Sequence, residues 1–278
     1  MPTRKPTPTR TPTPTPTPTP NSLTECSELR KSVQQLTAEV EQLKKNPESA
    51  KLATPTPTPT PPPLDPNQKC PINKYGIELL PIPGKSFCMG KYEVTQAQWK
   101  SVMGYNRSKF KGDSLPVEQV SWFEAQDFVN LLNASNDGFN YRLPNEEEWE
   151  YSCRAGTTGR FYGDLDEISW FEEEEDDYGG RFGRDRHAKT HDVGGKQPNA
   201  FGLYDMSGNV WEWCQGWYDE DDKDMRVLRG GSWHSYPERR LSSSFRSGIR
   251  PDDREDYVGF RVLAERPAAT IAAAAPTP

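Results

Sequence analysis

One segment near the start of the chain repeats its apolar residues at alternating steps of three and four positions. These residues are Cys26, Leu29, Val33, Leu36, Val40 and Leu43. β-Branched residues at one heptad position and leucine at the other favour a parallel two-stranded coiled coil. Asn21 or Ser22 can cap this helix, and Pro47 ends it. The pattern predicts a coiled-coil helix over 22–46 that makes the protein a homo-oligomer, with a dimer favoured and a trimer left open. The alternative is a single amphipathic helix packed on a globular domain.

Thr-Pro repeats flank this helix on both sides. They favour an extended polyproline II backbone, because proline fixes φ and disfavours helix in the residue before it, and such segments act as semi-rigid spacers. A short helix isolated between two spacers is marginal in water, which favours self-association. The predicted order is a spacer over 1–21, the helix over 22–46, a linker over 47–69, a globular domain over 70–266 and a disordered tail over 267–278.

Three N-capping motifs predict short helices in the globular part. Each pairs a Thr, Ser or Asn with a Gln or Glu three residues later, so that the two side chains cap the same helix start. The motifs begin at Thr95, Ser121 and Asn145. Elsewhere this part is rich in Gly, Asn and Asp, with short β-like stretches at 226–228 and 259–263. The expected fold is α+β with little regular secondary structure.

Charge and hydropathy exclude two classes of partner. The chain has 34 Lys and Arg against 41 Asp and Glu, a net charge of −7, without the clustered basic residues that nucleic-acid binding needs. No apolar stretch approaches the roughly 20 residues that span a bilayer, so no membrane span is expected. The start of the chain lacks the apolar region of a signal peptide, which makes a cytoplasmic location the default expectation.

The chain has five cysteines, namely Cys26, Cys70, Cys88, Cys153 and Cys214. No two are spaced as in zinc or thioredoxin-type motifs, and an odd number defines no disulfide framework. We therefore expect buried free thiols. Cys26 can cross-link the coiled coil only under oxidising conditions.

The globular part also carries a series of motifs in a fixed order. They are Phe87-Cys88-Met89-Gly90, Arg142-Leu143-Pro144-Asn145-Glu146-Glu147-Glu148-Trp149-Glu150, Asn199-Ala200-Phe201-Gly202-Leu203-Tyr204-Asp205-Met206-Ser207-Gly208-Asn209-Val210-Trp211-Glu212-Trp213, Arg229-Gly230-Gly231-Ser232-Trp233 and Gly259-Phe260-Arg261-Val262. Their order and spacing resemble the sulfatase-modifying-factor family, also called formylglycine-generating enzymes. The resemblance covers nearly all of 70–266 and implies a C-type-lectin-like fold with irregular loops on a small sheet.

One turn in these motifs has the chemistry of a calcium site. Asp205 and Glu212 flank Gly208 and Val210, and two carboxylates with free carbonyl oxygens suit Ca²⁺, which takes roughly six to eight oxygen ligands. The resemblance implies the same, because enzymes of this family hold calcium with the equivalent side chains and carbonyls. We expect Ca²⁺ to be bound by Asp205, Gly208, Val210 and Glu212. The alternative is a turn without a metal.

The chain departs from the family at the expected catalytic positions. The resemblance implies two cysteines shortly after the Gly-Gly-Ser-aromatic motif, where the aerobic enzymes bind copper and activate oxygen to oxidise a substrate cysteine. Here these positions are Ser235 and Arg240, and no cysteine follows Cys214. Copper(I) requires soft thiolates, and arginine has no lone pair to donate. No copper is expected, and no catalytic residue is assigned.

The segment 234–258, between the last two motifs, mixes Tyr, Ser, Arg, Asp, His, Phe and Gly without a period. This composition is typical of paratopes. It also resembles the variable regions of proteins diversified by diversity-generating retroelements, where mutation strikes adenines. The resemblance implies a non-catalytic binder of a protein or a glycan. The candidate ligand-binding residues are His234, Ser235, Tyr236, Arg239, Arg240, Phe245, Ser247, Ile249, Asp256 and Tyr257.

Two other functions stay open at this level. One is an atypical enzyme of the family that acts on a peptide cysteine or another small substrate, and the other is a regulatory or scaffold module joined through its coiled coil. A degenerate enzyme whose lost site drifted freely would also leave an irregular segment. The diversified binder is favoured because the motifs around the segment are kept while its interior is not family-like.

Overall fold

The computed structural model describes residue 70 and residues 72–171, 189–236 and 238–266. The predicted spacer, coiled-coil helix, linker and tail all lie outside the described residues. The strands are β1 (Leu79–Pro81), β2 (Phe87–Gly90), β3 (Asn140–Arg142), β4 (Trp211–Trp217), β5 (Arg226–Arg229), β6 (Arg246–Ile249), β7 (Val258–Gly259) and β8 (Leu263–Glu265). The helices are α1 (Gln96–Met103), α2 (Trp122–Asn133), α3 (Glu146–Arg154) and α4 (Leu165–Ile168), with a 3₁₀ helix at Glu238–Leu241.

The three predicted helices begin where their capping motifs place them. Thr95, Ser121 and Asn145 each accept a hydrogen bond from the backbone N–H three residues later, and the side chain of that later residue caps in return. Helix α3 also carries three glutamates in its first turn, a position where the helix dipole favours negative charge. The helix starts are therefore confirmed.

The strands form two four-stranded sheets. The first has the order β1-β2-β8-β3 and is antiparallel throughout, so the last strand of the domain lies between two early ones. The second has the order β6-β5-β4-β7, with β4 and β7 parallel. The β-like stretch at 226–228 is confirmed as part of β5. The stretch at 259–263 instead divides between β7 and β8, which belong to different sheets.

Aromatic side chains fill much of the interior. In the larger buried cluster the ring of Trp99 stacks on Phe128 at 5.5 Å between centroids, and Phe260 meets both rings edge-on. A second cluster surrounds Trp149, which is fully buried beside Met89. Large rings supply the buried apolar area that such short helices and strands cannot supply alone.

The cysteines require a correction. Cys70 and Cys88 form a disulfide, whereas free thiols were expected at both positions. The sequence did not predict this pairing, because an odd number of cysteines defines no disulfide framework. Cys153 and Cys214 are buried free thiols, as predicted. Among the described residues, no helix has the length and apolar character needed to cross a bilayer.

Candidate functional site

A glycine flanks the segment 234–258 at each end, Gly231 before it and Gly259, in β7, after it. Gly231 has a φ of +76°, and a Cβ there would lie 2.7 Å from Leu241 and 3.0 Å from the Arg240 carbonyl oxygen. At the other end, a Cβ on Gly259 would lie 2.3 Å from the carbonyl oxygen of Val117. Backbone therefore packs against other groups at both ends of the segment, and only glycine fits there.

Residues far away in sequence hold the backbone of this segment. Ser243 N–H donates to the Arg160 carbonyl, and strand β6 pairs with β5 in antiparallel register. Three backbone N–H groups of the domain donate to carbonyl oxygens of the segment, namely those of Trp122 to Pro251, Gln119 to Glu255 and Trp211 to Tyr257, at 2.8–3.0 Å. The path of the segment is thus set by main-chain bonds, which do not depend on its side chains.

Most of the predicted ligand-binding side chains reach the surface. His234, Tyr236, Arg239 and Arg240 are exposed, and Tyr236 keeps 47% of its surface accessible. Five further side chains are half-buried, namely Phe245, Ser247, Ile249, Asp256 and Tyr257. The tenth, Ser235, is buried. Phe245, Ile249 and Tyr257 pack against the larger core cluster, so these three also have a structural role.

The prediction that Ser235 contacts a ligand requires a correction. Only 1% of its surface is exposed, and its hydroxyl oxygen accepts a hydrogen bond from the backbone N–H of Ser232 at 2.9 Å. This bond closes the turn after the glycine pair, so Ser235 supports the turn and cannot contact a ligand. The two positions where the family resemblance implies cysteines therefore hold a buried hydroxyl and, at Arg240, an exposed guanidinium.

An aromatic patch, formed by Phe110, Trp233, His234 and Tyr257, lies where the two ends of the segment meet. The ring centroids of Trp233 lie 5.7 Å from Phe110 and 5.2 Å from His234, and His234 lies 6.2 Å from Tyr257. Trp233 Nε1 donates to the carbonyl oxygen of Asp256 at 3.3 Å. The patch thus joins both ends of the segment to the loop that carries Phe110.

Charged groups border the aromatic patch. Lys109 forms an ion pair with Asp256 across its edge. Beneath it, the buried Glu118 carboxylate accepts a hydrogen bond from the Phe110 N–H at 2.9 Å, and Glu118 Oε2 has no partner among the described residues. Burial raises the pKa of Glu118 to about 7. The loop that carries Phe110 is therefore bound by a carboxyl group whose pKa lies near neutral pH.

An arginine cavity lies beside the middle of the segment, at residues 239–246. It is open, has a volume of about 520 Å³, and includes Arg239 and Phe245 from the predicted set. Arg154, Arg160 and Arg246 complete its basic lining. Of the predicted residues, His234 and Tyr257 thus lie in the aromatic patch, and Arg239 and Phe245 line the arginine cavity.

The sequence did not reveal the residues outside the segment that contribute to the aromatic patch and the arginine cavity. Lys109 lies 147 positions before its partner Asp256, and Phe110, Arg154 and Arg160 are also remote. No spacing rule connects residues so far apart. Arg246 lies inside the segment, yet nothing in the sequence distinguished it from the neighbouring arginines.

The four residues of the predicted calcium site are all buried, with Asp205, Gly208 and Val210 in a loop and Glu212 in β4, and they differ in how well they suit a metal. Asp205 Oδ2 accepts the Gly194 N–H, while its buried Oδ1 has no partner among the described residues and would suit a ligand. Glu212 does not fit, because both of its oxygens accept from Arg261 and one also accepts from Trp149 Nε1. Arg261 therefore already supplies the positive charge that Glu212 needs. Ca²⁺ binding by these four residues stays a prediction, and this arrangement disfavours it. Within the described residues, no group of three or more His, Cys, Asp or Glu side chains is placed to hold a metal.

Residues 80–266 match the model of the sulfatase-modifying factor enzyme 1-like domain. The chaperone protein LppX of Paenibacillus barcinonensis is 32% identical, over 54% of this chain and 70% of that protein. The inactive C-alpha-formylglycine-generating enzyme 2 of Bos taurus is 33% identical, over 60% of this chain and 56% of that protein. The formylglycine-generating enzyme of Streptomyces coelicolor is 32% identical, over 60% and 58%. The chain thus spans little more than half the length of the last two relatives.

Solved structures with the same fold include Treponema denticola variable protein 1. It superposes with a TM-score of 0.57 at 29% identity, over 66% of this chain and 85% of that chain. PvdO from Pseudomonas aeruginosa superposes with a TM-score of 0.58 over 73% of this chain and 99% of that chain, and at 22% identity this likeness shows the fold alone. The α+β, C-type-lectin-like fold implied by the motifs is confirmed.

Proposed function

Because this chain belongs to the family of sulfatase-modifying factor enzyme 1-like domains, we propose that it is a non-catalytic member that binds a ligand through the segment 234–258. The observation that carries this proposal is that the backbone of the segment is held in place while several of its side chains are exposed. Main-chain hydrogen bonds from distant residues hold its backbone, while His234, Tyr236, Arg239 and Arg240 point outward. Such a surface can exchange its side chains without losing its shape.

The irregular composition of the segment supports diversification of this surface. Tyr, Ser, Arg, Asp and His mix there without a period, while the flanking glycines fill positions that admit no side chain. The likeness to Treponema denticola variable protein 1 supports the same proposal. We infer that the exposed residues of the segment vary among copies of this protein while Ser235 is kept.

The chemistry of the remaining thiols weighs against a cysteine-oxidising enzyme. Cys153 and Cys214 are fully buried, and burial raises the pKa of Cys153 to about 12 and that of Cys214 well above its usual value. Neither thiol is exposed or readily ionised, so neither suits copper(I) binding at a surface site. The expected thiolate pair is replaced by Ser235 and Arg240.

The ligand is a protein or a glycan, and the coiled-coil helix predicted over 22–46 brings two or more binding domains together. Linking weak sites raises the overall affinity, provided that the spacers allow them to engage at the same time. The Thr-Pro linker over 47–69 suits this role, because polyproline II segments extend and stay semi-rigid.

Binding is tested with the full chain on arrays of immobilised proteins and glycans. Ligands retained by the wild type are expected to lose about tenfold or more in affinity with the double variant His234→Ala and Tyr236→Ala, which changes two exposed side chains of the segment. The control is Ile72→Ala, which removes a side chain that is 67% exposed outside the segment. Equal binding by all three proteins would contradict the proposal, and so would oxygen-dependent conversion of a cysteine-containing peptide.

Diversification is tested in the genome that encodes the chain. A second copy of the codons for 229–262 is expected beside a reverse transcriptase, with every difference at an adenine of the copy. A copy with differences at all four bases would contradict diversification and leave the binding result unaffected.

A further inference from the structure

The arginine cavity has a strongly basic lining. Arg154, Arg160, Arg239 and Arg246 surround it, and none of its other lining residues is acidic. Those others are Thr158, Gly159, Ser242, Ser244 and Phe245. The side chains come from the end of α3, the loop after it, the 3₁₀ helix and β6, so the tertiary fold itself brings these charges together.

The nearby glutamates do not neutralise this charge. Glu146 pairs with the buried Arg229 and with Arg246, while Glu150 pairs with Arg229 and with Arg154. These two carboxylates therefore serve three arginines.

The other two arginines of the cavity lack such partners. Arg160 and Arg239 are exposed, and neither forms an ion pair with a described residue. Five guanidinium groups thus lie around two carboxylates. The ion pairs hold Arg154 and Arg246 in place, while the exposed Arg160 and Arg239 supply positive charge that remains available to a ligand.

We propose that the arginine cavity binds an oxyanion carried by a saccharide, with a sulfate ester as the preferred group. Guanidinium groups present paired N–H donors that match the oxygens of such anions. The inference deepens the proposed function and rests on it in part, because Arg239, Phe245 and Arg246 belong to the segment 234–258 while Arg154 and Arg160 do not.

The lining of the cavity favours a saccharide over an acidic peptide. The cavity is shallow and open, with a volume of about 520 Å³. The exposed hydroxyls of Thr158 and Ser244 can bond to sugar hydroxyls, and the half-buried ring of Phe245 provides an apolar wall. These groups surround the arginines with the mixture of polar and apolar surface that a sugar ring presents.

The test uses the full chain and isothermal titration with four probes. They are a heparin-derived sulfated oligosaccharide, the same saccharide after desulfation, inorganic sulfate and a glutamate-rich peptide. The sulfated saccharide is expected to bind more tightly than the other three. The double variant Arg160→Gln and Arg239→Gln is expected to weaken it by about tenfold or more, because two charge-assisted contacts are lost.

The matched control is the double variant Lys100→Gln and Arg107→Gln. It removes the same charge from exposed residues outside both the cavity and the segment 234–258, and it is expected to change affinity by less than about threefold. Equal losses in the two double variants would overturn the proposal, because they would indicate unspecific attraction of a polyanion. Tighter binding of the peptide, or equal binding of the desulfated saccharide or inorganic sulfate, would also overturn it.

The variant His234→Ala and Tyr236→Ala separates this inference from the proposed function. Loss of saccharide binding in the cavity variant alone supports the saccharide site and limits saccharide contact to the cavity. If the cavity variant binds normally, the saccharide inference fails. The protein and glycan arrays then decide separately whether the segment binds a ligand.

Discussion

Arg261 and Glu212 form an ion pair in which neither side chain has measurable exposure. The guanidinium makes three hydrogen bonds to the carboxylate, at 2.6–2.9 Å, and donates to the carbonyl oxygens of Gly90 and Tyr204. Arg261 therefore joins the loop at Tyr204 to β2 of the first sheet and β4 of the second. Short strands leave many backbone groups unpaired, and a buried arginine satisfies several of them at once.

Removing one partner of this pair should destabilise the domain strongly. Arg261→Gln leaves Glu212 buried without its countercharge and is expected to lower the free energy of unfolding by about 3–5 kcal/mol. Arg254→Gln is the matched control, since Arg254 pairs with Glu124 while its side chain is 42% exposed, and it should cost less than about 1 kcal/mol. Urea unfolding followed by tryptophan fluorescence measures both. Similar losses in the two variants would show that burial does not set the strength of these pairs.

Glu118 should make the stability of the domain depend on pH. Burial raises its pKa from 4.5 to about 7 in the folded protein, so the folded state keeps a proton that the unfolded state has already released. The stability contributed by this group is therefore full below about pH 4.5 and falls as the pH rises to about 7. Glu118→Gln removes this loss and should stabilise the protein relative to wild type by about 1–3 kcal/mol more at pH ~8 than at pH ~4.

Denaturant unfolding at both pH values measures the difference between the wild type and Glu118→Gln. Glu147→Gln serves as the control, because Glu147 is an exposed glutamate in α3 and its substitution removes the same charge. A gain for Glu118→Gln of equal size at both pH values would contradict the titration of Glu118 as its cause.

Calcium tests the prediction at Asp205, Gly208, Val210 and Glu212. A metal that binds only the folded state raises the melting temperature. The engagement of Glu212 by Arg261 leads us to expect no change in melting temperature, within about 1 °C, when millimolar Ca²⁺ replaces EDTA. The measurement is differential scanning fluorimetry on the wild type and on Asp205→Asn. A calcium-dependent rise in the wild type that disappears in Asp205→Asn would instead establish the predicted site.

How far the sequence predicts this structure depends on the range of each interaction. The capping of α1, α2 and α3 joins residues three positions apart, so their starts were predicted correctly. The motif order likewise predicted the fold. Contacts across the fold were not predictable in this way, because Lys109 meets Asp256 and Arg229 meets Glu146 only after folding. Ser235 shows the same limit, since its polar side chain suggested a surface while its hydrogen bond to Ser232 buries it.

The coiled-coil helix over 22–46 is the last prediction. Leu36→Pro removes a backbone donor and an apolar side chain from the middle of the heptads, so it should convert the oligomer to a single chain of about 31.5 kDa. Gln35→Ala is the matched control, because position 35 lies outside the apolar stripe. Light scattering measures the mass, and thermal unfolding of the globular domain should stay unchanged in both variants. Binding to a densely coated surface should weaken in Leu36→Pro alone, since the single domain loses the gain from linkage. A wild type that is already monomeric would favour the alternative, a helix packed on its own domain.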